Sequence, residues 1–380
     1  MTDAPLLPLD GIRVIDVSRV LAGPFATMLL ADLGADVVKV EPPEGDETRG
    51  WGPPWWGDPA DRRSAYFASV NRNKRSIVLD LRTDAGRASL DRLLGRADLL
   101  VHNYRPATAR RLGLEADALR SRHPALLVAS IGGFPGADAD RPAYDLLAQA
   151  VSGLMSVTGQ PDGPPTKVGV ALLDLIAGLE CAVGALAGLV ARGHDRGRAE
   201  VRSVEVGLIE VAVAALANVL GNHLASGAEP SRHGNAHANI VPYQAFEAAD
   251  GSLVVAVGND AQYARLVEIL GLEPDAAHAT NPQRLAARDE VVRRLADAIG
   301  KRSRGSLLAA LAAADVPAGP VSSVSEALDA LGGVTWLDER DGIRTAPSPI
   351  RLDGESPRMR RAPPRLGEHT AEILAELDST

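Results

Sequence analysis

Asp174 is the acid whose setting most needs explaining. It stands in Lys167-Val168-Gly169-Val170-Ala171-Leu172-Leu173-Asp174-Leu175-Ile176-Ala177-Gly178, among apolar residues, where an unpaired buried carboxylate is costly. Two compatible roles fit. Asp is favoured at helix N-caps, and a helical stretch from Leu175 to Leu189 follows directly. A carboxylate at a helix N-terminus is also kept ionised by the dipole, and in a dry cleft it is a usable nucleophile. A second group is basic or amide-bearing: Arg19, Asn71-Arg72-Asn73-Lys74-Arg75, Asn103-Tyr104-Arg105 and Arg110-Arg111. Arg19 and Asn103-Tyr104-Arg105 fall at predicted strand ends, where open α/β sheets bind ligands. In a chain of net charge −9, such a cluster suits a phosphate-bearing small molecule; a solvated loop has the same composition.

Other chemistries lack their signatures. No Gly-x-Gly-x-x-Gly follows a strand, so a nicotinamide cofactor is not expected. The Gly-x-x-x-x-Gly-Lys-Ser/Thr, His-Glu-x-x-His and Gly-x-Ser-x-Gly patterns are missing as well. His233 and His237 are separated by a Gly-Asn-Ala loop, and the eight histidines show no metal-ligand spacing, so no metal is expected. The one cysteine, Cys181, excludes an internal disulfide and a Cys-rich cluster, and points to a reducing, cytoplasmic compartment.

The elements that position these residues read as alternating strand and helix. Strands are predicted at Ile12–Val17, Ala35–Glu41, Ser76–Leu81, Asp98–Asn103 and Leu126–Ile131, with helices at Phe25–Leu33 and Thr83–Arg96. That alternation predicts an open, doubly wound α/β sheet. Residues 42–62 form a long loop carrying Trp51, Trp55 and Trp56, and loops of that length are usually functional. From Tyr144 to Ala228 the pattern is mostly helical and Ala-rich. The polar run at 229–239 marks a boundary. Strands at Tyr243–Phe246 and Leu253–Val257, with helices at about 261–270, 286–299 and 304–313, predict a small α+β domain. The expected organisation is therefore 1–228, 229–330 and 331–380. The last part is an extended tail ending in a helix at Thr370–Leu377.

With 380 residues and 46% apolar content, the chain can build two domains with buried cores. Forty basic against 49 acidic residues disfavour nucleic-acid and acidic-membrane partners. The start of the chain shows no secretory signal. The apolar stretch Val168–Ala191 contains Asp174 and Glu180 and reads as buried core, with no membrane partner.

The sequence resembles the family III CoA-transferases, the group of formyl-CoA transferase, carnitine CoA-transferase and alpha-methylacyl-CoA racemase. The matching segments span nearly the whole chain. They include Leu9-Asp10-Gly11-Ile12-Arg13-Val14-Ile15-Asp16, Leu21-Ala22-Gly23-Pro24, Gly34-Ala35-Asp36-Val37-Val38-Lys39-Val40-Glu41-Pro42-Pro43 and Asn73-Lys74-Arg75-Ser76-Ile77. Further matches are Asn103-Tyr104-Arg105-Pro106, Arg232-His233-Gly234-Asn235, Val316-Pro317-Ala318-Gly319-Pro320 and Pro364-Arg365-Leu366-Gly367-Glu368-His369. The resemblance implies a Rossmann-like large domain built from both chain ends, a small α+β domain, and a homodimer of two rings threaded through each other.

It also implies the chemistry. Asp174 matches the family's catalytic aspartate, which takes an acyl group from an acyl-CoA and then carries CoA as an aspartyl thioester before a carboxylic acid acceptor receives it. Coenzyme A is then a substrate, and neither ATP nor metal is required. Arg19, Leu21 and Ala22 match the CoA-contacting loop after the first strand. Lys74, Asn103, Tyr104 and Arg111 match further CoA contacts, and Tyr144 stands where the transferases carry Tyr. Pro42 and Pro142 depart from basic residues of formyl-CoA transferase, and its glycine-only lid is replaced by Arg-His-Gly-Asn-Ala-His-Ala-Asn at 232–239. The racemase pattern, Gly-His-Asp, is Ala143-Tyr144-Asp145 here. Tyr, with a reference pKa of ~10, is a poor proton shuttle near neutrality, so transferase is favoured over racemase, while the retention of Asp174 disfavours a non-catalytic CoA-binding protein.

Overall fold

The computed structural model describes residues 7–193 and 201–379; the expectation about the start of the chain lies largely outside them. The chain forms two compact units. One comprises Met1–Leu154, Val168–Ser226 and Val334–Thr380, and the other Met155–Lys167 and Gly227–Gly333. Residues 155–167 thus belong to the small unit and not to the part expected over 1–228.

The large unit holds six strands: β1 (Arg13–Asp16), β2 (Asp36–Glu41), β3 (Lys74–Val78), β4 (Leu99–His102), β5 (Leu127–Gly132) and β6 (Ser203–Gly207). They lie in the order β3-β2-β1-β4-β5-β6, and every pair is parallel. Val14, Ile15, Val37, Leu99, Leu100 and Val101 are fully buried, as expected of a parallel sheet covered on both faces. The strand order reverses between β1 and β4, which makes the crevice beyond their carboxyl ends the binding place of this architecture. Strand β6 departs from expectation. Its Ser-Val-Glu-Val-Gly is a half-exposed edge strand within the stretch read as helical.

Two helices place the site against this sheet. Helix α1 (Ala22–Asp32) is apolar almost all round because it lies between the sheet and a long helix. After α2 (Asp84–Leu94), α3 (Pro106–Leu112) and α4 (Asp145–Val151), that long helix is α5 (Leu172–Gly193). Leu173, Ala177, Cys181 and Ala185 recur every four residues and are fully buried. Leu179, Val183 and Val190 on the same helix are exposed. By length and composition α5 could cross a membrane, but its buried stripe belongs to the core of the large unit. A Cβ at Gly178 would lie 2.5 Å from the Ala22 carbonyl. Glycine therefore lets α5 cross α1 at its first turn, beside the crevice. The terminal helix Thr370–Asp378 covers the β3 edge, where Arg75 pairs with Asp36, Glu372 and Glu376.

In the small unit, β7 (Tyr243–Ala248), β8 (Gly251–Ala256) and β9 (Ala318–Pro320) form an antiparallel sheet with β8 central. Helices Asp260–Ile269, Arg288–Ile299 and Arg304–Ala313 pack on it through Leu266, Val291, Leu295 and Leu311. Arg232 donates to the carbonyls of Ser156, Gln160, Pro161 and Gly163, which fixes 155–167 to this unit.

Candidate active site

The crevice is built on a buried charge network at the end of β1. Asp16 accepts from Lys74 Nζ at 3.0 Å and Thr27 Oγ1 at 2.6 Å, and also from Ser18 Oγ. Burial alone would raise its carboxyl; Lys74, Lys39 and the two hydroxyls outweigh that and hold it at about 2. Lys39, also fully buried, donates to the Ser18 carbonyl at 2.9 Å and pairs with Asp46 at 3.0 Å. Asp46 in turn accepts from the Val20 amide at 3.3 Å. Val20 has φ +68°, a left-handed conformation that is a genuine outlier for a β-branched residue. The turn after β1 is thus held in a strained shape from below. Across the switch point, Arg19 and Asn103 exchange two hydrogen bonds, of 2.9 and 2.7 Å. These lock the β1 and β4 loops together. The Arg19 guanidinium lies over the Tyr104 ring, 5.4 Å from its centroid, and pairs with Glu47 at 3.1 Å.

Above these loops is a cavity of about 530 Å³. Arg19, Leu21, Ala22, Asn103, Tyr104, Arg111, Tyr144 and Asp174 all line it. Pro42 and Pro142, where basic residues were missing, line it too. Lys74 does not. Its ammonium is fully buried, and its three donors go to Asp16, the Pro24 carbonyl at 2.8 Å and Asn71 Oδ1 at 2.9 Å. With every N–H spent beneath the loop, Lys74 supports the β1–α1 turn and leaves nothing free for a ligand. The structure thus places Lys74 beneath the loop and not on the cavity wall where the resemblance puts a CoA contact.

Asp174 is also placed differently from its expected cap position. It is the third residue of α5 and is half-buried. The cap is supplied by Asp145, whose Oδ2 accepts from the amides of Leu173 at 2.8 Å and Asp174 at 3.3 Å. Gln149 donates to the other Asp145 oxygen, and its own carbonyl oxygen accepts from the Val168 amide at 2.8 Å. Burial and the Asp145 charge lift the Asp174 carboxyl to about 7. The helix dipole favours the anion, but desolvation is the larger effect here. The site thus sets a carboxyl shifted upward by burial beside a ligand-sized cavity.

Sequence reasoning missed Asp145 as the cap, although it lies in the segment compared with the racemase pattern; an Asp with Gln four residues on was the available signal. It missed Tyr66 too. Burial, then the charges of Asp174, Asp145 and Asp46, push the Tyr66 hydroxyl upward. Trp51 from the long loop holds the ring edge-on at 5.0 Å between centroids. Through Trp51 the long loop thus packs against Tyr66. Asp275, His278 and Glu290 in the small unit are close enough together to hold a metal ion, with His278 Nδ1 3.4 Å from Asp275 and Nε2 3.9 Å from Glu290.

The model of CoA-transferase family III matches residues 9–370. The chain is 42% identical over 396 residues to succinate–glutarate CoA-transferase of Agrobacterium fabrum, covering 100% of this chain and 98% of that protein. It is 37% identical to acetyl-CoA:oxalate CoA-transferase of Acetobacter aceti, covering 98% and 96%. A crystal structure of a CAIB/BAIF family protein from Brucella suis is similar over 98% of this chain and 100% of its own, with 38% identity and a TM-score of 0.86. With an open α/β sheet, a cavity at its switch point and a perturbed carboxylate on that cavity, the chain belongs to CoA-transferase family III and is an enzyme of that family.

Proposed function

We propose that this enzyme transfers CoA between short dicarboxylic acids, with a succinyl-CoA-type donor and a glutarate-type acceptor, through covalent intermediates on Asp174. The observation that carries the reading is the half-buried Asp174 carboxyl on the wall of the cavity, in a chain 42% identical to the Agrobacterium succinate–glutarate enzyme.

In the proposed cycle, an Asp174 oxygen attacks the thioester carbonyl. The carbon–sulfur bond breaks, CoA leaves as thiolate, and a mixed anhydride remains. The thiolate then attacks the Asp174 acyl carbon, releasing the donor acid and forming an aspartyl-CoA thioester. The acceptor carboxylate attacks that carbon, giving a second anhydride and thiolate. Attack of thiolate on the acceptor's acyl carbon forms the new acyl-CoA and returns the Asp174 carboxylate. One thioester is exchanged for another and no water is consumed. The anhydride must therefore be shielded from water and kept next to the thiolate.

Arg19, Arg105 and Arg111 line the same cavity and suit the phosphates of CoA. The exposed Leu179, Val183 and Val190 of α5 support the homodimer that the resemblance implies, since apolar residues grouped on one helix favour a covering surface. The test is to supply succinyl-CoA with glutarate and follow glutaryl-CoA by chromatography and mass spectrometry, against acetate, oxalate and longer diacids. Preferential formation of glutaryl-CoA supports the substrate class. Transfer only to monocarboxylates would overturn it.

A further inference from the structure

We infer that Asp145 is the positioning residue of the reaction: it fixes the first turn of α5, and with it Asp174, and its charge opposes the free Asp174 anion so that acylation is favoured. The inference rests on Asp174 being the nucleophile. It starts from geometry. Asp145 is buried, and one of its oxygens accepts from the amide of Asp174 itself and from that of Leu173. The N-terminal amides of a helix have no partner within it, so α5 begins where it does because Asp145 closes it. Gln149 holds the second oxygen of Asp145 and, through the Val168 amide, the strand of chain leading into α5. The nucleophile's backbone is thus fixed from the other side of the connection between α4 and α5.

The charge has a second consequence. Amides of a helix start ordinarily favour a nearby anion. Here Asp145 takes up two of those N–H groups, so they are spent on the neighbouring carboxylate. The two acids share one helix end, and the Asp145 charge disfavours the ionised form of Asp174. When Asp174 attacks a thioester, its negative charge passes to the leaving sulfur and Asp174 becomes a neutral acyl group. Asp145 destabilises the starting anion and leaves the neutral acylated states untouched. Among the described residues, Tyr66 is coupled electrostatically to Asp174, and Tyr144 lines the same cavity. The cavity's further charges include Arg19, Arg105, Arg111, Glu47 and Asp80.

The test is the pH profile of kcat/KM for Asp145→Asn, which reports ionisations of the free enzyme. Asn keeps an oxygen that can accept from both amides but carries no charge. The acid-limb midpoint moves down by about one pH unit or more from the wild-type value, and kcat on the plateau falls roughly tenfold while the KM for acyl-CoA holds. The Asn amide meets the Gln149 amide donor to donor, so Asp145→Asn with Gln149→Met, which removes that clash without adding a charge, serves as the second variant if the single variant folds poorly. Its midpoint also lies below that of the wild type. A midpoint unchanged in the folded variant, with only the rate or the melting temperature reduced, overturns the inference. Asp174→Asn in the same assay separates the two readings. If it retains full transfer, the nucleophile assignment fails; if it is inactive while the Asp145 variants keep the wild-type midpoint, only the role of Asp145 fails.

Discussion

Replacing Lys74 by Met separates a supporting residue from a ligand contact. Lys74 is fully buried, and its three donors go to Asp16, Pro24 and Asn71. Met fills a similar volume but leaves the Asp16 carboxylate without its closest cation. Removing one partner of a buried pair costs about 3–5 kcal/mol. The large unit spans about 260 residues. At about 2.1 cal/mol/K per residue, its unfolding entropy is about 0.55 kcal/mol/K, so the melting temperature should fall by about 5–9 °C. Calorimetry of the variant measures that shift, and titration with CoA at 20 °C below its midpoint measures affinity. The expected pair of results is a clear loss of stability with a CoA dissociation constant within about threefold of wild type. Arg111→Ala, at an exposed position on the cavity, should give the reverse: an unchanged melting temperature and weaker, salt-sensitive CoA binding. A Lys74→Met protein that melts like the wild type but binds CoA tenfold or more weakly would refute the reasoning from its buried hydrogen bonds.

Three further predictions concern the loop and the nucleophile. Val20→Gly removes a side chain held at φ +68°, a conformation that costs of order 1–3 kcal/mol for a non-glycine residue; melting should be unchanged or higher while CoA affinity drops, and unaltered affinity would show that the turn is not held for CoA. For Asp174, a folded-state value raised to about 7 from 3.8 means that its ionisation opposes folding as pH rises through 7. Asp174→Asn should therefore melt higher than the wild type at pH 8, with the gain shrinking toward pH 4. Transfer by the wild type should rise with pH through about 7, because only the anion attacks, and a rate that fell across that range would contradict the assignment.

The strands around the switch point were legible because runs such as Val14-Ile15 and Leu99-Leu100-Val101 are buried on both faces and therefore uninterrupted. β6 was not, because its alternating Ser-Val-Glu-Val-Gly half faces solvent and sits in an Ala-rich stretch. The site residues lining the cavity were reachable through strand ends and resemblance. What they rest on was not. Lys74 lies 58 residues from Asp16, and Asp145 lies 29 residues from Asp174. A basic residue in a motif reads the same whether it points at a ligand or under a loop. The sign of the Asp174 shift was equally hidden, since the helix start is visible in sequence but the dehydration around it and the acid sharing its amides arise only in the fold.

The central claim is that Asp174 carries the acyl group covalently. The direct measurement is to incubate the enzyme with succinyl-CoA, quench with hydroxylamine and locate the modified residue by peptide mass spectrometry. A hydroxamate at Asp174, lost in Asp174→Asn together with transfer to glutarate, is the predicted result. Full transfer by Asp174→Asn, or a hydroxamate on another carboxylate, would contradict it.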